Sequence, residues 1–166
     1  DQVGYVARHT WSKKDIEAHN KLAKRKGKYQ IMRYRNSLEN DFVKLLYNHD
    51  SLIEGETDTA IIVEGVFDVI ALTRKLELYD NKEIVAVATF GKKISNIQIY
   101  KLQTKGVRNV VLAYDGDAVE QIKETAGVLS SYFNVLIADL AGNGKDFDEM
   151  DFREVYDTFA YHLKTP

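Results

Sequence analysis

Three clusters of acidic residues carry the chemistry open to this chain. Glu64 and Asp68 follow the apolar run Ile61-Ile62-Val63, and Asp115 and Asp117 follow Val110-Val111-Leu112. Asp146 ends a glycine-rich loop at 141–146, and Asp148 comes just after it. A short β-branched run that ends abruptly in acid and glycine reads as a buried parallel strand delivering carboxylates to the rim of a sheet. Open α/β sheets bind their ligands at that rim. Carboxylates gathered there repel one another, and a divalent cation relieves the repulsion. The chemistry expected is phosphoryl transfer dependent on Mg²⁺ or Mn²⁺.

Each cluster also has a plainer reading. Asp68 falls in a first helical turn, where an acid serves the helix dipole. Asp-Gly marks ordinary turns, so Asp115-Gly116-Asp117 alone is weak. The run Lys145-Asp146-Phe147-Asp148-Glu149 reads alone as an acid-decorated helix start. Glu64 is harder to set aside, because a carboxylate beside buried surface costs roughly several kcal/mol unless paired or metal-bound. Other chemistries lack their signatures. His9, His19, His49 and His162 are scattered without zinc-ligand spacing, and no Walker loop, GxGxxG or nucleophile elbow is present.

The elements that must position these acids alternate strand and helix. Strands are expected at 59–64, 83–88, 108–114 and 133–138, with helices at about 66–78, 94–104, 118–131 and 148–163. That rhythm predicts an α/β fold, a mostly parallel sheet of about four strands covered by helices. Ahead of it lies a small basic α+β portion. A strand at 3–8 precedes a helix capped by Ser12 and stopped at Gly27. A strand at 28–35 would bring Arg33 and Arg35 onto one face, and a helix is expected from Leu38 to Tyr47. The polar segment Asn48–Asp58 reads as a linker, giving domains at 1–50 and 58–166.

Charge divides the chain at the same place. Residues 1–50 hold 11 Lys+Arg against 6 Asp+Glu, whereas 51–166 hold 12 against 19. A basic front and an acidic rear suit a polyanion and a metal respectively, although solvated surface gives the same counts. With no cysteine, disulfides and thiolate metal sites are excluded, which fits a cytoplasmic location. No apolar run reaches the roughly 20 residues of a membrane span. A chain opening on Asp1 is expected to be a piece of a longer protein.

The blocks IIVEGVFDVIAL, VAVATFGKKIS, VVLAYDGD and GKDFDEM, in that order over about residues 58–152, resemble the Toprim domain of topoisomerases, bacterial primases and some nucleases. The resemblance implies Glu64 as the glutamate of the first motif, Asp115 and Asp117 as the DxD, and Asp146 and Asp148 as the last acidic pair. GYVAR and YQIMRYRNSLENDFVKLLYN resemble the basic subdomain that precedes Toprim in DnaG-type primases, with Arg8, Arg33, Tyr34, Asn36, Ser37, Phe42, Lys44 and Tyr47 in the matching places. Three departures stand out. Glu120 replaces an expected glycine, Asp146-Phe147-Asp148 replaces Asp-Pro-Asp, and the basic insert WSKKDIEAHNKLAKRKGK is long, as in a phage or mobile-element branch.

A primase core is thereby expected, making RNA primers from ribonucleoside triphosphates on a single-stranded DNA template. Glu64, Asp115 and Asp117 would be catalytic, and with Asp146 and Asp148 they would hold the metals. Arg8, Arg33, Lys44, Asp68 and Lys145 would contact template or triphosphate. A replicative helicase is the expected partner, through regions beyond this sequence. The alternatives are a Toprim nuclease using the same acids with water, and a non-catalytic DNA-binding module of the recombination-mediator kind.

Overall fold

A computed structural model of the chain describes residues 4–38, 40–115, 119–138, 140 and 145–166. The chain forms two compact units, Asp1–Asp41 and Phe42–Pro166.

In the first unit, strands β1 (Val6–Arg8) and β2 (Tyr34–Asn36) pair antiparallel, with helix α1 (Lys13–Arg25) between them in sequence. Ser12 caps α1 by accepting from the Asp15 N–H, and Gly27 ends the turn beyond it with φ +61°. The strand expected at 28–35 shrinks to Tyr34–Asn36 for a local reason. The Asn20 side chain donates to the Ile31 carbonyl (2.8 Å) and accepts from the Ile31 N–H (2.7 Å), occupying the groups a ladder would use. Arg33 therefore precedes the strand and shares no strand face with Arg35.

The second unit is a three-layer α/β sandwich. Its sheet runs β4 (Ile84–Ala88), β3 (Thr59–Val63), β5 (Asn109–Leu112), β6 (Asn134–Ala138), β7 (Leu163–Lys164). The first four are parallel, and β7 adds a short antiparallel edge that the sequence pattern did not signal. Alternation along the strands sorts the core into two faces. Ile62, Val87 and Leu112 pack beneath α3 (Asn96–Thr104) and α4 (Val119–Leu129). Ile61, Val63 and Val111 pack beneath α2 (Val66–Lys75) and α5 (Phe152–Tyr161). Among the described residues no helix is long and apolar enough to cross a membrane.

The segment expected to form a helix at 38–47 and a linker at 48–58 belongs to this second unit from Phe42 onward. Phe42–Lys44 makes only a 3₁₀ turn. The amide of Gln98, buried on α3, donates to the carbonyls of Phe42 (3.3 Å) and Leu45 (2.6 Å), while the Ser95 hydroxyl takes the Val43 carbonyl. Carbonyls held this way cannot propagate an α-helix. Leu46 and Leu52 are buried in the core, and Tyr47 bridges Ala88 on the outer edge of β4.

Candidate metal centre

β3 and β5 lie side by side, but the chain leaves them in opposite directions, from β3 to β4 and from β5 to β6. The crevice at their carboxyl ends is thus a topological switch point, where open sheets bind ligands. Glu64 follows β3 directly, and Asp115 lies just past β5. The Asp115 N–H donates to Glu64 Oε1 at 3.2 Å. The Lys92 ammonium, on the loop after β4, stands 3.9 Å from the same oxygen.

Beneath these groups the rim is rigid. The Ala113 N–H reaches the Ile62 carbonyl (2.8 Å) and the Thr89 N–H the Val63 carbonyl (3.1 Å), extending the ladders past the strands. The Thr89 hydroxyl lies within hydrogen-bond distance of the Gly91 carbonyl (2.7 Å), the Val63 carbonyl (3.2 Å) and the Tyr114 hydroxyl (3.1 Å). Burial pushes the Tyr114 phenol up to about 12, so it stays neutral. Phe90 holds the loop in a left-handed conformation (φ 61°) and stacks on Phe42 at 4.3 Å, which offsets the local strain.

Asp68 enters from the first turn of α2. The N-cap of that helix is Gly65, and a Cβ there would lie 2.8 Å from Asp68 Oδ2, so the missing side chain is the space the carboxylate occupies. Burial, followed by the charges of Asp115, Asp148, Asp146 and Glu64, pushes the Asp68 carboxyl up to about 7. Those four repulsions report convergence. Carboxylates from three separate chain segments lie within electrostatic reach of Asp68.

The third segment is the loop before α5. Phe147 and Met150 are buried anchors, while Asp146 before them and Asp148 between them stay half-buried. Ligand oxygens of Asp146, Asp148 and Glu149 all lie within 4.8 Å of one another. Lys75 of α2 is buried against this loop, and burial lowers its ammonium below the usual lysine range. An all-carboxylate donor set, in which like charges repel one another, fits a hard divalent cation such as Mg²⁺.

Residues 61–151, more than half of the chain, match the family model described as Toprim-like. The chain belongs to the Toprim-like family. Toprim domains occur in primases, nucleases and recombination proteins and bind Mg²⁺ through acidic residues. No curated protein matches the chain, and no solved structure does.

Within the Toprim unit Glu64, Asp115, Asp146 and Asp148 lie within electrostatic reach of Asp68, and of these Asp146 and Asp148, with Glu149, have ligand oxygens within 4.8 Å of one another. Asp117 lies outside the described residues. Glu120, the departure from the family glycine, is exposed in the first turn of α4. Phe147, in place of proline, is a core plug that seats 5.9 Å from the Phe159 ring. Lys145 is exposed and pairs with Glu154, which lifts the lysine and lowers the glutamate from their usual ranges through the shared hydrogen bond. Lys44 is exposed on the 3₁₀ turn. In the first unit, Arg8 and Arg33 both set their guanidinium groups over the Tyr34 ring, at 5.7 and 5.5 Å. Sequence reasoning passed over Glu149, Lys92 and Lys75. The consecutive acids of Asp148-Glu149 and the basic pair after Phe90-Gly91 were the available signals for the first two; a lysine inside an amphipathic helix gave none.

Proposed function

We propose that this chain is the catalytic core of a DNA primase, joining ribonucleotides into short primers on single-stranded DNA. The observation that carries the reading is the seating of Glu64 and Asp115, joined at 3.2 Å, at the switch point of the sheet, with Asp68, Asp146 and Asp148 within electrostatic reach. Glu64, Asp115, Asp146 and Asp148 would hold Mg²⁺ or Mn²⁺, with Asp117 joining them as the resemblance implies. Glu149 offers a further oxygen at the same place. A divalent metal supplies Lewis-acid stabilisation of the charge that builds on the phosphoryl oxygens.

The chain's own groups do the positioning. Glu64 fixes the Asp115 backbone and so sets where the second carboxylate sits. Lys92, half-exposed beside Glu64, presents a point charge to the triphosphate at the lip of the crevice. Arg8 and Arg33 offer forked donors to template or triphosphate oxygens, and Lys44 and Lys145 offer point charges. The basic first unit, with its Arg-on-Tyr34 stacks, favours a polymerising reading over a nuclease, because the nuclease chemistry needs the acids alone.

The test is labelled-ribonucleotide incorporation on single-stranded DNA with Mg²⁺ or Mn²⁺, beside an Asp115→Asn control. Short RNA products that vanish in the control are expected. Template cleavage that depends on Asp115 would replace the reading with a nuclease. DNA binding with neither activity, indifferent to metal, would replace it with a binding module.

A further inference from the structure

Lys75 is an anomaly for a charged side chain. It closes α2 yet is only 6% exposed. Its ammonium donates to the carbonyls of Phe147 (2.6 Å), Asp148 (3.3 Å) and Met150 (2.6 Å), more than 70 residues away in sequence. Three carbonyls use all three donors of the group, so the amine is satisfied where it sits. The loop it grips is the one bearing Asp146, Asp148 and Glu149. Seven positions separate Lys75 from Asp68, close to two helical turns, so both project from one side of α2. Helix α2 thereby carries one acid of the cluster at its start and the clamp for three others at its end.

We propose that Lys75 is a positioning residue for the metal centre. By fastening the carbonyls on either side of the Asp148 side chain, it sets the distance from the loop's carboxylates to Asp68 and Asp115. Packing of Phe147 and Met150 holds the loop on the sheet. Apolar packing alone leaves the loop free to slide by fractions of an ångström, and metal coordination does not tolerate that. The three directional bonds remove the freedom. This inference rests on the metal-centre reading above.

The experiment is Mn²⁺ affinity of the full chain, read by electron paramagnetic resonance, for the unsubstituted protein, Lys75→Met and Lys75→Gln. Each is measured where circular dichroism shows it folded. Both variants are expected to bind Mn²⁺ about 10- to 100-fold more weakly, the usual effect of losing a group that orients metal ligands. A variant that is folded and binds with unchanged affinity would overturn the positioning role, since a purely structural lysine lowers the melting temperature and leaves affinity intact. A second measurement needs no variant. In the unsubstituted protein the ¹⁵Nζ resonance of Lys75 is expected to shift with Mg²⁺ along the same saturation curve as the Asp148 amide, and an unmoved resonance counts against the proposal. If the unsubstituted protein binds no metal, the metal-centre reading falls and this inference with it; metal bound equally by all three proteins removes this inference alone.

Discussion

The Asp115 N–H donates to Glu64 Oε1 across 3.2 Å, so one carboxylate of the centre fixes the backbone that carries another. Glu64 has two separable jobs, charge and acceptor. Glu64→Gln keeps an oxygen for the Asp115 N–H and loses the charge. It is expected to melt within a few degrees of the unsubstituted protein while Mn²⁺ affinity and any polymerising activity fall at least about 10-fold. Glu64→Ala also frees the Asp115 N–H and is expected to cost roughly a further 1 kcal/mol in urea unfolding. Equal metal affinity for Glu64→Gln and the unsubstituted protein would show that the glutamate serves only the backbone.

Asp68 couples stability to pH. Its carboxyl rises from 3.8 to about 7 on folding, first through burial and then through Asp115, Asp148, Asp146 and Glu64. Between those values the folded protein holds a proton that the unfolded chain releases, so this contribution is full below about pH 4 and is lost as pH rises towards 7. At about 1.4 kcal/mol per unit the ceiling is roughly 4 kcal/mol, and partial solvent access brings it nearer to about 2. In chelator, the melting temperature is expected to fall across this window more steeply for the unsubstituted protein than for Asp68→Asn. Mg²⁺ at pH 7 should restore it. Parallel pH profiles for the two proteins would remove Asp68 as the source.

Asp115→Asn separates catalysis from folding. Asp115 is the largest charge acting on Asp68 after burial, so neutralising it relieves repulsion and leaves its own backbone bond to Glu64 in place. Its melting temperature in chelator is expected to equal or exceed that of the unsubstituted protein, with primer synthesis abolished. A matching loss of the thermal transition would assign Asp115 a structural role.

The acids at strand ends were legible because parallel strands announce themselves locally, as β-branched runs that stop at Glu64 and Asp115. The Ser12 cap was legible for the same reason, since its partner is three residues away. What escaped depends on contacts distant in sequence. Gln98 captures carbonyls more than fifty residues earlier and cancels a helix that Phe42, Leu45 and Leu46 otherwise spell. Asn20 does the same to the strand around Ile31, and Lys75 clamps a loop that shares no pattern with its own helix. β7, two residues long, is too short to leave a periodicity. Charge clusters mark where a site is, and the polar groups that brace it look like surface.

Gly65 is predicted to matter for space and not for backbone freedom, because its φ of −119° suits any residue. A methyl group there would meet Asp68 Oδ2 at 2.8 Å, and the carboxylate, at the end of a rotatable side chain, would swing away. Gly65→Ala is therefore expected to fold with a stability change within about 1 kcal/mol, including its slightly poorer N-cap. Mn²⁺ affinity should drop severalfold, and the pH dependence attributed to Asp68 should weaken. Unchanged affinity would mean that the position of the Asp68 carboxylate does not bear on the metal-holding acids around it.

Gln98→Leu tests whether the segment after Asp41 is braced from α3. The amide is 1% exposed and serves the carbonyls of Phe42, Leu45 and Thr89, while its oxygen accepts from the Ser95 N–H (2.9 Å). Leucine fills the volume and strands those groups, each costing about 1 kcal/mol or more when buried without a partner. Urea unfolding is expected to show a loss of roughly 2–4 kcal/mol. Because Thr89 and Phe90 lead directly to Lys92, the same variant should loosen the loop that carries the ammonium beside Glu64. Faster amide exchange at Gly91–Lys93, with exchange at Val110–Leu112 unchanged once global stability is allowed for, is the expected signature; a uniform rise through the unit would instead show that Gln98 supports the core and leaves the loop alone.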